Sequence, residues 1–219
     1  QRWRSHPNEN TRTQKRIVLT TLEKIRNKKD TNFLLGVIEA NPSLFEYLEP
    51  DEQNNKEIAL IALESNPNFL EYLGSTLRAD KQIGLVIVKK KGNLLKDLDK
   101  NLQGDRDIVL EAVKTGDFAL SCASDTLKAD EKVVLEAVKH NGSALGYASP
   151  ELRKDRDIVL EAVSNNGSAL RYANSELKAD KSIVLVAIQD GAWVLKYADT
   201  SLQNDKDIII ALLKNKKTY

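Results

Sequence analysis

Methionine is absent from all 219 residues, and cysteine occurs once, at Cys122. A chain without methionine cannot begin at its own start codon, so it is expected to be a segment of a longer protein. One thiol excludes an internal disulfide framework and suits a reducing compartment, so a cytoplasmic setting is expected. Histidine occurs only at His6 and His140, and no His-Glu-x-x-His, Cys-x-x-Cys, Walker loop or nucleophile elbow is present. No catalytic residue, metal site or cofactor is therefore assigned, and the segment is expected not to be an enzyme. No apolar run is long enough to cross a bilayer, which argues against membrane insertion, and no signal peptide opens the chain. The net charge of +1 removes the broad basic field that nucleic acid or an anionic membrane would favour.

What the chain does contain is a period. Aspartate returns every 25 residues, at Asp80, Asp105, Asp130, Asp155, Asp180 and Asp205, with Asp30 and Asn55 in register. Asp-Arg-Asp-Ile-Val-Leu-Glu-Ala-Val opens both Asp105–Val113 and Asp155–Val163. A fixed period of this size marks stacked supersecondary units.

With the aspartate numbered as column zero, columns three, four, seven and eight are apolar, as in Ile108, Val109, Ala112 and Val113. That spacing lays an apolar stripe along a helix, and column five widens it with Leu110, Leu135, Leu160 and Leu185. The aspartate is placed to cap the first turn. Column eleven, with Asn41, Asn66, Asn141, Asn166, Gly116 and Gly191, predicts a left-handed stop. A second, short helix follows at once, with the asparagine as its N-cap and Pro42 or Pro67 in its first turn. Its apolar set is Ala144, Leu145, Tyr147, Ala148 and Leu152 in one repeat.

The expected fold is an all-α solenoid of about eight short helical hairpins. Residues 1–11 are expected to be a poorly ordered tail and 12–29 a capping helix carrying Ile17, Val18, Leu19, Leu22 and Ile25. Seven repeats fill 30–204, and 205–219 form a C-terminal half-repeat helix.

The phrase at Asp105–Val113, together with Asn-Gly-Ser-Ala-Leu-Arg-Tyr-Ala at Asn166–Ala173, resembles a tandem-repeat family of unknown function. That family recurs in effector-type proteins of Legionella-like intracellular bacteria and in some protist proteins. The resemblance implies a bacterial effector, or a segment of one, translocated into the host cytoplasm. It brings no assigned catalytic residue.

Column by column, the aspartate ladder reads as helix caps, since neighbouring carboxylates about 8 to 10 Å apart would not share an ion. The column of Tyr47, Tyr72, Tyr147, Tyr172 and Tyr197 reads as packed rings with wet hydroxyls, and Cys122 in that column reads as a small buried filler. Column thirteen is polar except at Phe118 and Trp193, both two residues after a glycine. They read either as a locally repacked loop or as exposed anchors for a partner. Lys89, Lys90, Lys91, Lys114, Lys139 and His140 lie near successive first-helix ends, where cations suit the helix dipole and a stripe of them could form a basic rim. Charge is also uneven: residues 1–29 hold nine basic and two acidic residues, and 30–79 hold two basic and nine acidic.

The expected function is a monomeric protein–protein interaction scaffold with a protein partner. Nucleic acid is disfavoured. The alternatives are a structural spacer for a catalytic domain elsewhere and a single-stranded nucleic-acid reader using the tyrosine column.

Overall fold

A computed structural model describes Thr20, Glu23 and residues 31–215. The expected tail at 1–11 and most of the capping helix at 12–29 lie outside the described residues. All regular structure among the described residues is helical, in a repeating order of short elements. The fold is an all-α solenoid. It divides into two compact units, Gln1–Val86 and Ile87–Tyr219, with the boundary inside the helix Lys81–Lys90.

Each repeat opens with an α-helix at column one, as in Lys56–Ser65, Glu131–His140 and Arg156–Asn165. The column-zero side chain caps it. Asp155 Oδ1 accepts from the amides of Asp157 and Ile158 at 2.9 and 3.0 Å, and Asp105, Asp180 and Asp205 repeat the pattern. Asn55 makes the same two bonds without a charge. The apolar stripe is buried as expected, with Ile108, Val109 and Ala112 at 0% exposure and Val113 at 1%.

The second half of the repeat departs from a single short α-helix. It is a six-residue 3₁₀ helix at columns twelve to seventeen, such as Gly142–Tyr147 or Gly167–Tyr172, then a separate α-turn such as Ser175–Lys178. The break has a cause. Column eighteen is extended, as at Ala148 (φ −66°, ψ 157°), which turns the next amide away from its own helix. In residues 87–219 that column-nineteen amide bonds to the preceding repeat: Ser124 to Gln103 O, Ser149 to Lys128 O, Asn174 to Arg153 O, and Asp199 to Lys178 O, at 2.9–3.1 Å. A continuous helix would forfeit this bond in these four repeats. The carbonyls freed at the break are met by column twenty-three, where the buried amide of Gln103 donates to Leu98 O and Lys96 O.

The left-handed stop at column eleven is also corrected. Asn66, Asn141 and Asn166 are extended (φ −143 to −149°) and cap the 3₁₀ helix by accepting from the amides of Asn68, Ser143 and Ser168. Ending one helix and capping the next in a single extended residue leaves no room for a left-handed turn. Among the described glycines only Gly191, the column-eleven residue of its repeat, has positive φ, at 129°.

Within Gln1–Val86 the core between repeats is aromatic, with Phe45 and Phe69 at 5.5 Å between ring centroids and Tyr72 edge-on to Phe45. Within Ile87–Tyr219 the column of Phe69 holds Ala119, Ala144 and Ala169 and that of Phe45 holds Leu120, Leu145 and Leu170, so these segments pack closely on alanine and leucine. Column twelve carries this closeness to its limit. A Cβ on Gly92, Gly142 or Gly167 would lie 1.9, 2.2 or 2.1 Å from the carbonyl oxygen of Ala112, Ala162 or Ala187 in the next repeat. The amides of Gly92 and Gly142 donate to Thr115 Oγ1 and Asn165 Oδ1 across the same junction. Pro42 and Pro67, at this column in the first unit, have no N–H to offer.

The half-repeat helix is Lys206–Asn215, and residues 216–219 lie outside the described set. Its Ile209 and Leu213 are 40% and 60% exposed, whereas their counterparts Val134 and Val138 are fully buried. These columns are core only where further segments cover them.

Candidate functional site

The aspartate ladder does more than cap. Column one is basic in most repeats, and its side chain reaches the capping aspartate of the next repeat. Lys56 Nζ lies 2.7 Å from Asp80, Arg106 forks onto Asp130 at 2.7 and 3.1 Å, and Arg156 Nε lies 3.3 Å from Asp180. Lys181 pairs with both Asp205 and Asp207. The sequence reading above does not use this column; its signal is a cation 24 residues before Asp80, Asp105, Asp130, Asp180 and Asp205. These contacts hold several carboxyls below the usual range. For Asp130 the Arg106 hydrogen bond is the main cause, for Asp180 the Ser182 hydroxyl, and for Asp205 the Lys181 ammonium. At Asp80 burial opposes ionisation, but the Lys56 bond and the backbone amides outweigh it.

Stability should therefore depend on acid. A folded-state pKa below the unfolded value stabilises the fold at pH values above the unfolded pKa, and this is lost as pH falls through the folded value. The melting temperature is expected to hold from neutrality to about pH 5 and to fall below about pH 4. Arg106→Gln should flatten that fall, and an unchanged acid profile would remove the ladder from the account. Asp155 isolates the cap, because Glu131 occupies the column-one position of the preceding repeat. Asp155→Ala is expected to cost about 1 kcal/mol and Asp155→Asn close to nothing. Equal losses in urea unfolding would mean that charge, not capping, matters there.

Among the described residues no group of three or more His, Cys, Asp or Glu could hold a metal ion, and no helix is long and apolar enough to cross a membrane. A depression of about 400 Å³ is lined by Lys100, Gln103, Cys122, Ala123, Ser124 and Asp125. Cys122 is half-buried rather than a buried filler, with Sγ 3.4 Å from Ser121 Oγ and 3.9 Å from Phe118 O.

Phe118 and Trp193 are 58% and 52% exposed. Their repeats are also repacked, so the two readings of column thirteen hold together. The first helix shortens to Arg106–Val113 in one and Lys181–Ala187 in the other. The glycines serve different ends. Gly191 supplies the positive φ, while a Cβ on Gly116 would sit 2.5 Å from Asn93 N. Asn93 Oδ1 of the preceding repeat accepts the Phe118 amide at 2.9 Å. The indole Nε1 of Trp193 donates to Asp190 O at 3.2 Å, and its ring meets Tyr197 edge-on at 6.2 Å.

The predicted basic stripe is partly neutralised from within. Lys114 pairs with Glu111 at 2.6 Å, Lys139 with Glu136 at 3.5 Å, and His140 Nε2 lies 3.4 Å from Asp117 of the preceding repeat. Lys89, Lys90 and Lys91 are exposed. Of the tyrosine column, Tyr47, Tyr72, Tyr172 and Tyr197 are half-buried, and Tyr147 is 39% exposed. Tyr172 lies flat against Gly146, where a Cβ would come within 3.0 Å of the ring.

A family model described as "Domain of unknown function (DUF4116)" matches residues 30–78, 55–103, 80–128, 130–178 and 180–219. Each full match spans two of the 25-residue repeats, and all five begin on a column-zero residue, Asp30, Asn55, Asp80, Asp130 or Asp180. No curated protein and no solved structure matched the chain.

Proposed function

The chain belongs to the DUF4116 family, and we propose that its repeats serve as a protein–protein interaction scaffold without a catalytic role of their own. The observation that carries this reading is the pair of exposed rings, Phe118 and Trp193, on a column that is otherwise polar. Large aromatic side chains are the residues most enriched at binding hot spots. Here the repeat that carries each ring is tied to the preceding one by a backbone hydrogen bond, from the amide of Ser124 and of Asp199, so little order has to be gained on binding. Three repeats separate them, about 25 to 30 Å at helix packing distances, which fits within one standard interface.

The host-cell effector setting, drawn from the resemblance of the repeat phrase, belongs to the same proposal, and a translocation reporter fused to the protein tests it. The scaffold reading is tested by affinity capture from host lysate with the wild-type protein, Trp193→Ala and Phe118→Ala. A captured protein should be lost from both variants, with Trp193→Ala weakening its purified complex by 2 kcal/mol or more, on the order of a hot-spot loss. Melting temperatures close to wild type would exclude misfolding. Undiminished binding by the double variant would reject the two rings as anchors.

A further inference from the structure

We propose that the ridge made by Arg171, Tyr172, Trp193, Lys196 and Tyr197 binds an extended acidic segment of a partner protein. The inference rests on the scaffold reading and names the chemistry of its partner. Arg171 and Lys196 occupy column sixteen in successive repeats, and both are exposed. Their contacts are with rings. The Arg171 guanidinium lies 5.0 Å from the Tyr172 centroid and 5.8 Å from Tyr197, and Lys196 Nζ lies 5.0 Å from Tyr197 and 5.7 Å from Trp193. The result is a continuous line of alternating rings and cations running across two repeats.

This separates them from five other cations of the unit. Lys114, Lys139, Arg106, Arg156 and Lys181 each already face a carboxylate. An incoming acid at any of those positions would have to displace an internal partner. Arg171 and Lys196 have ring contacts only, so a carboxylate can be added without one being removed. The rings also restrict both side chains beforehand, which lowers the ordering cost of binding.

Spacing selects the form of the ligand. One repeat step is about 8 to 10 Å. Side chains two residues apart on an extended strand share a face at about 7 Å, so alternate acidic residues can reach both cations. The exposed indole, its N–H already bonded to Asp190 O, offers an apolar surface to a residue beside the acids. A nucleic-acid strand fits less well. Its affinity comes from neutralising several phosphates in a row, and column sixteen of the two preceding repeats holds Ser121 and Gly146.

Anisotropy of a fluorescein-labelled peptide of alternating Glu and Val tests the proposal, with its Gln-for-Glu twin and poly(U) RNA as the other arms. The acidic peptide should bind at least about tenfold tighter than the twin and quench Trp193 in a Trp3→Phe background. Arg171→Gln and Lys196→Gln should each weaken binding by about fivefold, while Lys114→Gln leaves it unchanged. Equal binding of the two peptides, an equal effect of Lys114→Gln, or tighter binding of poly(U) would each overturn the ridge. A captured partner that depends on Phe118 and Trp193 but ignores Arg171→Gln and Lys196→Gln would sink the ridge and leave the scaffold standing.

Discussion

Gly167→Ala is expected to destabilise the protein by about 3 kcal/mol, although it adds one methyl group to a position with ordinary φ. The new Cβ would sit 2.1 Å from the Ala187 carbonyl oxygen and 3.0 Å from its carbon. Both belong to the backbone of the next repeat's first helix, so no side chain can swing aside. Relief requires the two repeats to separate, which stretches the bond from the Gly167 amide to Asp190 Oδ2 and uncovers Ala169 and Leu170. Stability in a stacked array resides in such junctions, so the loss should appear as a lower urea midpoint with a broader transition. Gly36 is the control. It lies inside the helix Thr31–Ala40 with nothing within 4 Å of a new Cβ, so Gly36→Ala should stabilise by about 0.5 to 1 kcal/mol. If Gly167→Ala unfolds at the wild-type midpoint, the repeats are not in contact at column twelve.

Val134→Asp should cost about 4 kcal/mol or more. Val134 is at 0% exposure on the helix Glu131–His140, between the equally buried Val133 and the half-buried Leu135. An ionised carboxylate there would lose its hydration, and a protonated one would still strand a polar group among apolar side chains. Lys132, two residues away and exposed, gives the comparison. Lys132→Asp is expected to stay within about 0.5 kcal/mol of wild type. Similar thermal unfolding of the two variants would show that column four does not face the core.

Periodicity determined most of this fold before any coordinates. Residues at columns three, four, seven and eight must be buried wherever a helix packs on its neighbours, and a side-chain oxygen at column zero is the commonest way to begin that helix. Local chemistry of this kind is written in residue type and spacing, so the helix starts at Lys56, Arg106, Glu131, Arg156 and Lys181 were legible. The exposure of Phe118 and Trp193 was partly legible too, because an aromatic residue interrupts a polar column there.

Tertiary structure decided the features whose partners lie in the next repeat. The second helix breaks because the column-nineteen amide bonds to a carbonyl one repeat back, a preference that no property of Ser124, Ser149 or Asn174 announces. Gly142 and Gly167 stand in the column where Pro42 and Pro67 open the second helix, and they are contact surfaces, since only the approach of Ala162 O and Ala187 O makes a Cβ impossible. The cations sorted themselves in the same way. Lys114 and Lys196 are alike in sequence, yet one is neutralised by Glu111 and the other lies over Trp193 and Tyr197. Spacing along the chain sets which face a side chain takes, but the charge it leaves available depends on what the neighbouring turns and repeats place beside it.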